Sequence, residues 1–102
     1  LGVASETISD YGVVSRQTAA EMAAGAAKTA HTTIALSSTG VAGPDGGTKE
    51  HPVGDVYLGC CYNGSVMTQH MLGCGSRTEI RQQAVAAAFS LLEKMLTEEK
   101  IL

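Results

Sequence analysis

The sequence predicts one α/β layer domain with a mixed sheet, and three observations carry that reading. Residues 55–72 alternate in polarity on both sides of an Asn63-Gly64 pair, the pattern of a β-hairpin. Ser76-Arg77-Thr78-Glu79 is an S-x-x-E capping box that opens an apolar stripe at helical spacing. Ahead of both, a helix of small residues precedes a short β-branched run, so helices and strands interleave along the chain. The 102 residues allow one domain at most, and a composition of 44% hydrophobic and 17% charged residues belongs to a folded chain rather than a disordered one. One Phe, three Tyr and no Trp leave the core to small and aliphatic side chains.

In chain order, Leu1–Val14 reads as a lead-in with a short helical turn after Ser5. Ser15 is the expected N-cap of a helix over about Arg16–Thr29, with Ala19, Met22, Ala23, Ala26 and Ala30 on one face. Gly25 weakens that helix by roughly 1 kcal/mol relative to Ala, a cost tolerated where close approach to a sheet matters more. Thr32–Ser38 is the expected central strand, and it runs into a Gly-rich loop over Thr39–Thr48. After Pro52, Val56, Leu58, Cys60 and Tyr62 alternate with Asp55, Tyr57, Gly59 and Cys61. Ser65–Leu72 returns antiparallel across a type I′ turn. The last helix is expected from about Arg77 to Thr97, with Ile80, Ala84, Ala88, Leu91, Leu92 and Met95 inward. Glu93, Lys94, Glu98 and Glu99 form its solvent side.

Several function classes are excluded at this level. A net charge of −3 offers no basic stripe for nucleic acid. No apolar run reaches the length of a membrane span, and Leu1–Asp10 lacks a signal-peptide pattern. Cys60, Cys61 and Cys74 are an odd set without CxxC spacing, read as reduced thiols of a cytoplasmic protein. His31, His51 and His70 have no ligand spacing, so neither a metal nor another cofactor is expected.

Two features could carry chemistry. The Thr39–Thr48 loop holds four glycines at a strand end, where backbone N–H groups can converge into an anion nest and Thr39 and Thr48 add hydroxyl donors. Its plainer reading is a long surface turn held by Pro44-Asp45; it matches neither a P-loop nor a dinucleotide fingerprint. Arg77 and Arg81 stand i,i+4 at a helix N-terminus, where cations gain nothing from the macrodipole, which suggests an anion held at the first turn. Their plainer reading is pairing of Arg77 with Glu79, or solvation. Lys49, Glu50 and His51 read as a solvated rim. No nucleophile and base can be assembled from these residues.

The chain resembles the C-terminal domain of the competence-damage-inducible CinA family, found alone in bacterial nicotinamide mononucleotide deamidases. The resemblance rests on Leu1-Gly2-Val3, Gly12-Val13-Val14-Ser15, Glu21-Met22-Ala23 and Gly25-Ala26. Its most specific part is Thr39-Gly40-Val41-Ala42-Gly43-Pro44-Asp45-Gly46-Gly47-Thr48, followed by Pro52-Val53-Gly54 and Val56. Gly75, Arg77, Ile80-Arg81 and Gln83-Ala84 look like the family's Gly-Asp-Arg-x-x-Val-Arg segment. The resemblance implies a three-layer α/β/α fold with a mixed sheet and metal-free hydrolysis of the carboxamide of nicotinamide mononucleotide to nicotinic acid mononucleotide and ammonia. It implies Thr39 and Arg77 as catalytic residues, with Gly40, Ala42, Gly43, Gly46, Gly47, Thr48 and Arg81 binding the substrate.

The sequence departs from the family pattern in three places. Ser76 stands where the family usually has Asp, and lacks the charge to orient Arg77. Asp55 replaces a Thr or small residue, which could disturb the strand start. The family's A-E-S-x-T-G-G and Y-S-N-x-x-K segments, which supply its catalytic Ser, Tyr and Lys, precede the portion matched here. The expectation is therefore part of a nicotinamide-nucleotide amidase that supplies pocket and anion contacts. Its expected partners are a small-molecule nucleotide substrate, the N-terminal segment of the same domain and further copies in a homo-oligomer, with no nucleic acid and no membrane. The alternative is a non-catalytic nucleotide- or phosphate-binding module. Without the family's first strands and helix, a sheet edge and apolar faces should lie exposed.

Overall fold

The computed structural model describes residues 2–98. In chain order these form α1 (Ser5–Tyr11), α2 (Arg16–Ala30), β1 (Ile34–Gly40), β2 (Asp55–Tyr62), β3 (Ser65–Leu72) and α3 (Arg77–Glu98). Glu99, placed by the sequence on the solvent side of the last helix, lies outside the described residues.

Local signals explain the element ends. Ser15 Oγ accepts from the Thr18 backbone N–H at 3.1 Å and donates to Gly12 O at 3.0 Å, capping α2 and fixing the turn before it. Glu21 accepts from Ala4 N–H at 2.8 Å and from the Thr7 hydroxyl, which docks α1 on α2. Asn63 and Gly64 take φ of 50° and 85°, as a type I′ turn requires, and set the register Tyr62↔Ser65 through Asp55↔Leu72. At α3, Ser76 Oγ accepts from Glu79 N–H at 3.2 Å while Glu79 accepts from Ser76 N–H at 2.9 Å, the reciprocal bonds of a capping box.

The sheet order is β1-β2-β3, with α1 and α2 on one face and α3 on the other. The three layers are as expected, but the strand roles differ. β2 is central and β1 lies at an edge, and all the pairing is antiparallel. The parallel pairing of a mixed sheet is thus absent among the described residues, because the loop from β1 simply reverses the chain and no crossover helix intervenes. β1 also runs on through Thr39 to Gly40, since Val41 N–H donates to Asp55 O at 3.0 Å and prolongs the ladder.

The two faces are built differently. Toward α3, Val56, Leu58 and Cys60 bury against Ile80, Ala88, Leu91 and Met95, with Leu36, Met67 and Met71 around them. Toward α2, Ala35 and Cys61 meet Ala23 and Ala27. Small residues let α2 settle onto the strands: Ser37 donates to Ala19 O at 2.6 Å, and a Cβ on Gly59 would lie 2.4 Å from that same oxygen. The close approach expected of Gly25 is made here instead, and Gly25 lies under Gly2.

One flank of this fold is uncovered. Asn63 N–H donates to Thr33 O and Val41 N–H to Asp55 O, so alternate residues of β1 face β2. Ile34, Leu36, Ser38 and Gly40 therefore turn their backbone groups away from the sheet. Beside that edge, Val85 and Phe89 of α3 are 57% and 59% exposed. No described helix is long and apolar enough to cross a membrane.

Candidate functional site

Where β1 ends above the first turn of α3, a cleft of about 280 Å³ opens between Ser38, Gly40 and Ala42 on one side and Arg77, Ile80 and Arg81 on the other. It continues along the β1 edge into a trough of about 320 Å³ flanked by Leu36, Val85 and Phe89. The loop after β1 folds back so tightly that a Cβ on Gly43 (φ 82°) would lie 2.5 Å from Val53 Cγ1. This fold turns Gly43 O toward α3, where Arg77 Nη1 donates to it at 3.1 Å. The loop carbonyl thus orients Arg77, in place of a charged cap.

Glu79 is committed to the cap. The Ser76 backbone N–H and then its hydroxyl hold the Glu79 carboxyl below the usual range, so it pairs with Ser76 rather than with Arg77. Among the described residues no carboxylate lies within ion-pair distance of Arg77 or Arg81. Arg77 and Arg81 among its lining residues and the N-terminal end of α3 make the cleft cationic, fit for a phosphate, a carboxylate or a developing oxyanion.

The structure brings together Gly40, Ala42, Gly43, Arg77 and Arg81, and leaves four expected residues elsewhere. Thr39 is buried on the opposite, α2 side of the sheet, its hydroxyl donating to Val13 O at 2.8 Å, because strand residues alternate faces and its neighbours Ser38 and Gly40 take the cleft side. Thr48 closes a turn: its N–H donates to His51 O at 2.8 Å and its hydroxyl accepts from His51 N–H at 3.0 Å. Gly47 packs against Val53, and Gly46 is exposed beside Val41. None of these three lines the cleft, since the loop is folded down on Val53.

A second cluster sits on the α2 face, where His51, expected in a solvated rim, is tied to Asp55, expected to disturb the strand start. The Asp55 side chain, 6% exposed, receives His51 Nδ1 at 2.7 Å and also His70 Nε2. His70 stacks on Tyr57 with centroids 4.4 Å apart, and the Arg16 guanidinium lies 6.0 Å from the Tyr57 ring centre while donating to Thr68 Oγ1 at 3.2 Å. The hairpin was the available signal. A two-residue turn at Asn63-Gly64 sets Tyr57 opposite His70, which puts His70 diagonal to Asp55 on one face. Among the described residues no group of three or more His, Cys, Asp and Glu converges to hold a metal ion.

Burial pushes the Asp55 carboxyl up, but hydrogen bonds from His70 and His51, with their charges, outweigh it and hold the group below its ordinary 3.8. The folded chain therefore keeps this carboxylate ionised where the unfolded chain takes up a proton. Its contribution to stability is complete above about pH 4 and is lost as pH falls through the depressed value. Acid titrations of the unfolding midpoint should show this loss, and Asp55→Leu should flatten it; an equally steep acid limb in the variant would place the effect on other carboxylates.

Burial first, then the Cys61 thiol beside it, pushes the Cys60 thiol up. Cys60, Cys61 and the exposed Cys74 are all free thiols.

Comparison with known proteins gives the lineage. The family model of the CinA C-terminal domain matches residues 1–96. A protein of Clostridium acetobutylicum named as competence-damage inducible is 53% identical over 94 residues, 92% of this chain and 23% of its own length. A CinA-like protein of Kosmotoga olearia is 49% identical over 96 residues, 94% of this chain and again 23% of its own. The crystal structure of the competence/damage inducible protein CihA from Agrobacterium tumefaciens superimposes with a TM-score of 0.86 at 45% identity, covering 92% of this chain and 58% of that one. A competence or damage-inducible protein from Enterobacter asburiae gives 0.88 at 33% identity, covering 94% and 60%. The chain spans about a quarter of the length of these curated relatives. With the layers, the loop and the capped α3 all in place, the chain belongs to the CinA C-terminal domain family.

Proposed function

We propose that the Arg77–Arg81 cleft is the anion-binding side of a nicotinamide-nucleotide amidase site. The observation that supports this reading is that Arg77 and Arg81, at the start of α3, both line the cleft opposite Gly40 and Ala42, with no described carboxylate within ion-pair distance of either. In the reaction, the nucleophile gives its proton to the base and adds to the carboxamide carbon. The tetrahedral oxyanion collapses to expel ammonia carrying that proton, and water then hydrolyses the acyl intermediate to the carboxylate product. Arg77, already oriented by Gly43 O, donates charge-assisted hydrogen bonds to the substrate phosphate or to the oxyanion. No metal takes part in this scheme. The nucleophile and base come from an N-terminal segment of the same domain lying along the open β1 edge, in a cytoplasmic homo-oligomer.

A second reading, a nucleotide-binding module without chemistry, is favoured by the β1 hydroxyls that turn to α2 instead of the cleft. Thr39 donates to Val13 O and Ser37 to Ala19 O, and neither has a base beside it. Ammonia release from nicotinamide mononucleotide separates the readings. The expected result is no turnover by the 102-residue chain alone and turnover once the N-terminal segment is joined to it. Turnover by the chain alone would show that its own hydroxyls suffice. Ligand-dependent stabilisation without turnover in the joined form would support the binding module.

A further inference from the structure

We propose that Asp55, His51 and His70 form a positioning clamp that holds the Gly-rich loop in the shape framing the Arg77–Arg81 cleft. The loop leaves the sheet at Val41 and rejoins it at Gly54, whose N–H donates to Val41 O at 2.6 Å. Its outer arm carries Gly43 O to Arg77. Its inner arm is the Thr48–His51 turn, and Val53 wedges between the two against Gly43 and Gly47. The inner arm is tied down through a side chain: His51 Nδ1 reaches Asp55 at the start of β2. Asp55 is held in turn by His70 of β3, whose ring is fixed by its stack on Tyr57. The path from cleft to sheet therefore runs Arg77, Gly43, Val53, His51, Asp55, His70.

The chemistry of Asp55 suits a clamp rather than mere packing. Its buried carboxylate accepts from both rings at once, and removing either ring leaves a buried anion short of a donor. The titratable and charged groups on this side are His51 from the loop, His70 from β3, Tyr57 from β2 behind His70, and Arg16 from α2 over Tyr57. A protonated Asp55 accepts less well, so the clamp loosens as pH falls through its depressed titration.

The ligand arm of this inference rests on the anion-cleft reading; the loop arm does not. Amide exchange at Thr48 and Gly54 should be followed in the 102-residue chain and in His51→Ala, Asp55→Ala and the double variant. Affinities for nicotinamide mononucleotide and inorganic phosphate are measured alongside. His51→Ala should raise the opening of both amides about tenfold or more, leave β2 amides such as Leu58 unchanged, and weaken ligand binding in step. Asp55→Ala should do the same to the loop, and the double variant should add little, because one interaction is lost once. Unchanged loop exchange in His51→Ala overturns the clamp even if Asp55→Ala fails to fold, as does full additivity of the two substitutions. Faster loop exchange with undiminished affinity overturns its role at the cleft. If the unaltered chain binds neither ligand, the anion-cleft reading fails, and the loop exchange still decides whether the clamp exists.

Discussion

Replacing Arg77 with alanine should weaken binding of nicotinamide mononucleotide by about 10- to 100-fold, the equivalent of one lost hydrogen bond to a charged group. Two effects act in the same direction. The substitution removes one of the two guanidinium groups of the cleft, and it releases Gly43 O, which has its described partner in Arg77 Nη1. Folding should change little, because Ser76 and Glu79 cap the helix without help from Arg77. Arg77→Lys should restore the charge but not the planar fork, recovering binding only in part. Calorimetric titration reads both variants against the unaltered chain, and an affinity unchanged in Arg77→Ala would remove this residue from the site.

Gly59→Ala should cost about 3 kcal/mol or more, at the top of the range for overpacking a core. The added Cβ would lie 2.4 Å from Ala19 O and 2.6 Å from Ser37 Oγ. One neighbour is backbone of a helix and the other is the hydroxyl bonded to it, so neither can turn aside. Relief requires α2 to lift from the sheet, breaking the Ser37–Ala19 bond and opening the Ala23, Ala27 and Cys61 contact behind it. A domain of this size is stable by only about 5–10 kcal/mol, so the loss should be plain in a urea unfolding midpoint. A midpoint within experimental scatter of the unaltered chain would show that α2 does not bear on β2 at this point.

These two positions also show what was legible in the residues. Arg77 stands out in the sequence because a cation at a helix N-terminus is out of place, and Arg81 one turn on repeats the anomaly. The capping box, the Ser15 cap and the Asn63-Gly64 turn were legible because each is a contact between residues two or three apart. Gly59 was not, since its need for glycine comes from a helix forty residues away in the chain. Thr39 was misplaced for a related reason. A sequence marks where a strand gives way to glycines, but the facing of its last residue depends on how far the ladder with β2 continues. Asp55 looked like a disturbance at a strand start because its two histidines lie on different elements, and only the folded hairpin makes one carboxylate their common partner.

The open β1 edge has a consequence for symmetry. The described sheet has two free edges, one on β1 and one on β3, and they are not alike. Pairing β1 of one copy with β1 of another closes at two. Pairing β1 with β3 of the next copy is heterologous and leaves the same two edges free at the ends, so it can add copies without limit. A strand laid along Ile34–Gly40 from elsewhere in the protein forbids both arrangements at once. Covering that single edge takes β1 out of any contact between copies and leaves the β3 edge to decide how copies meet.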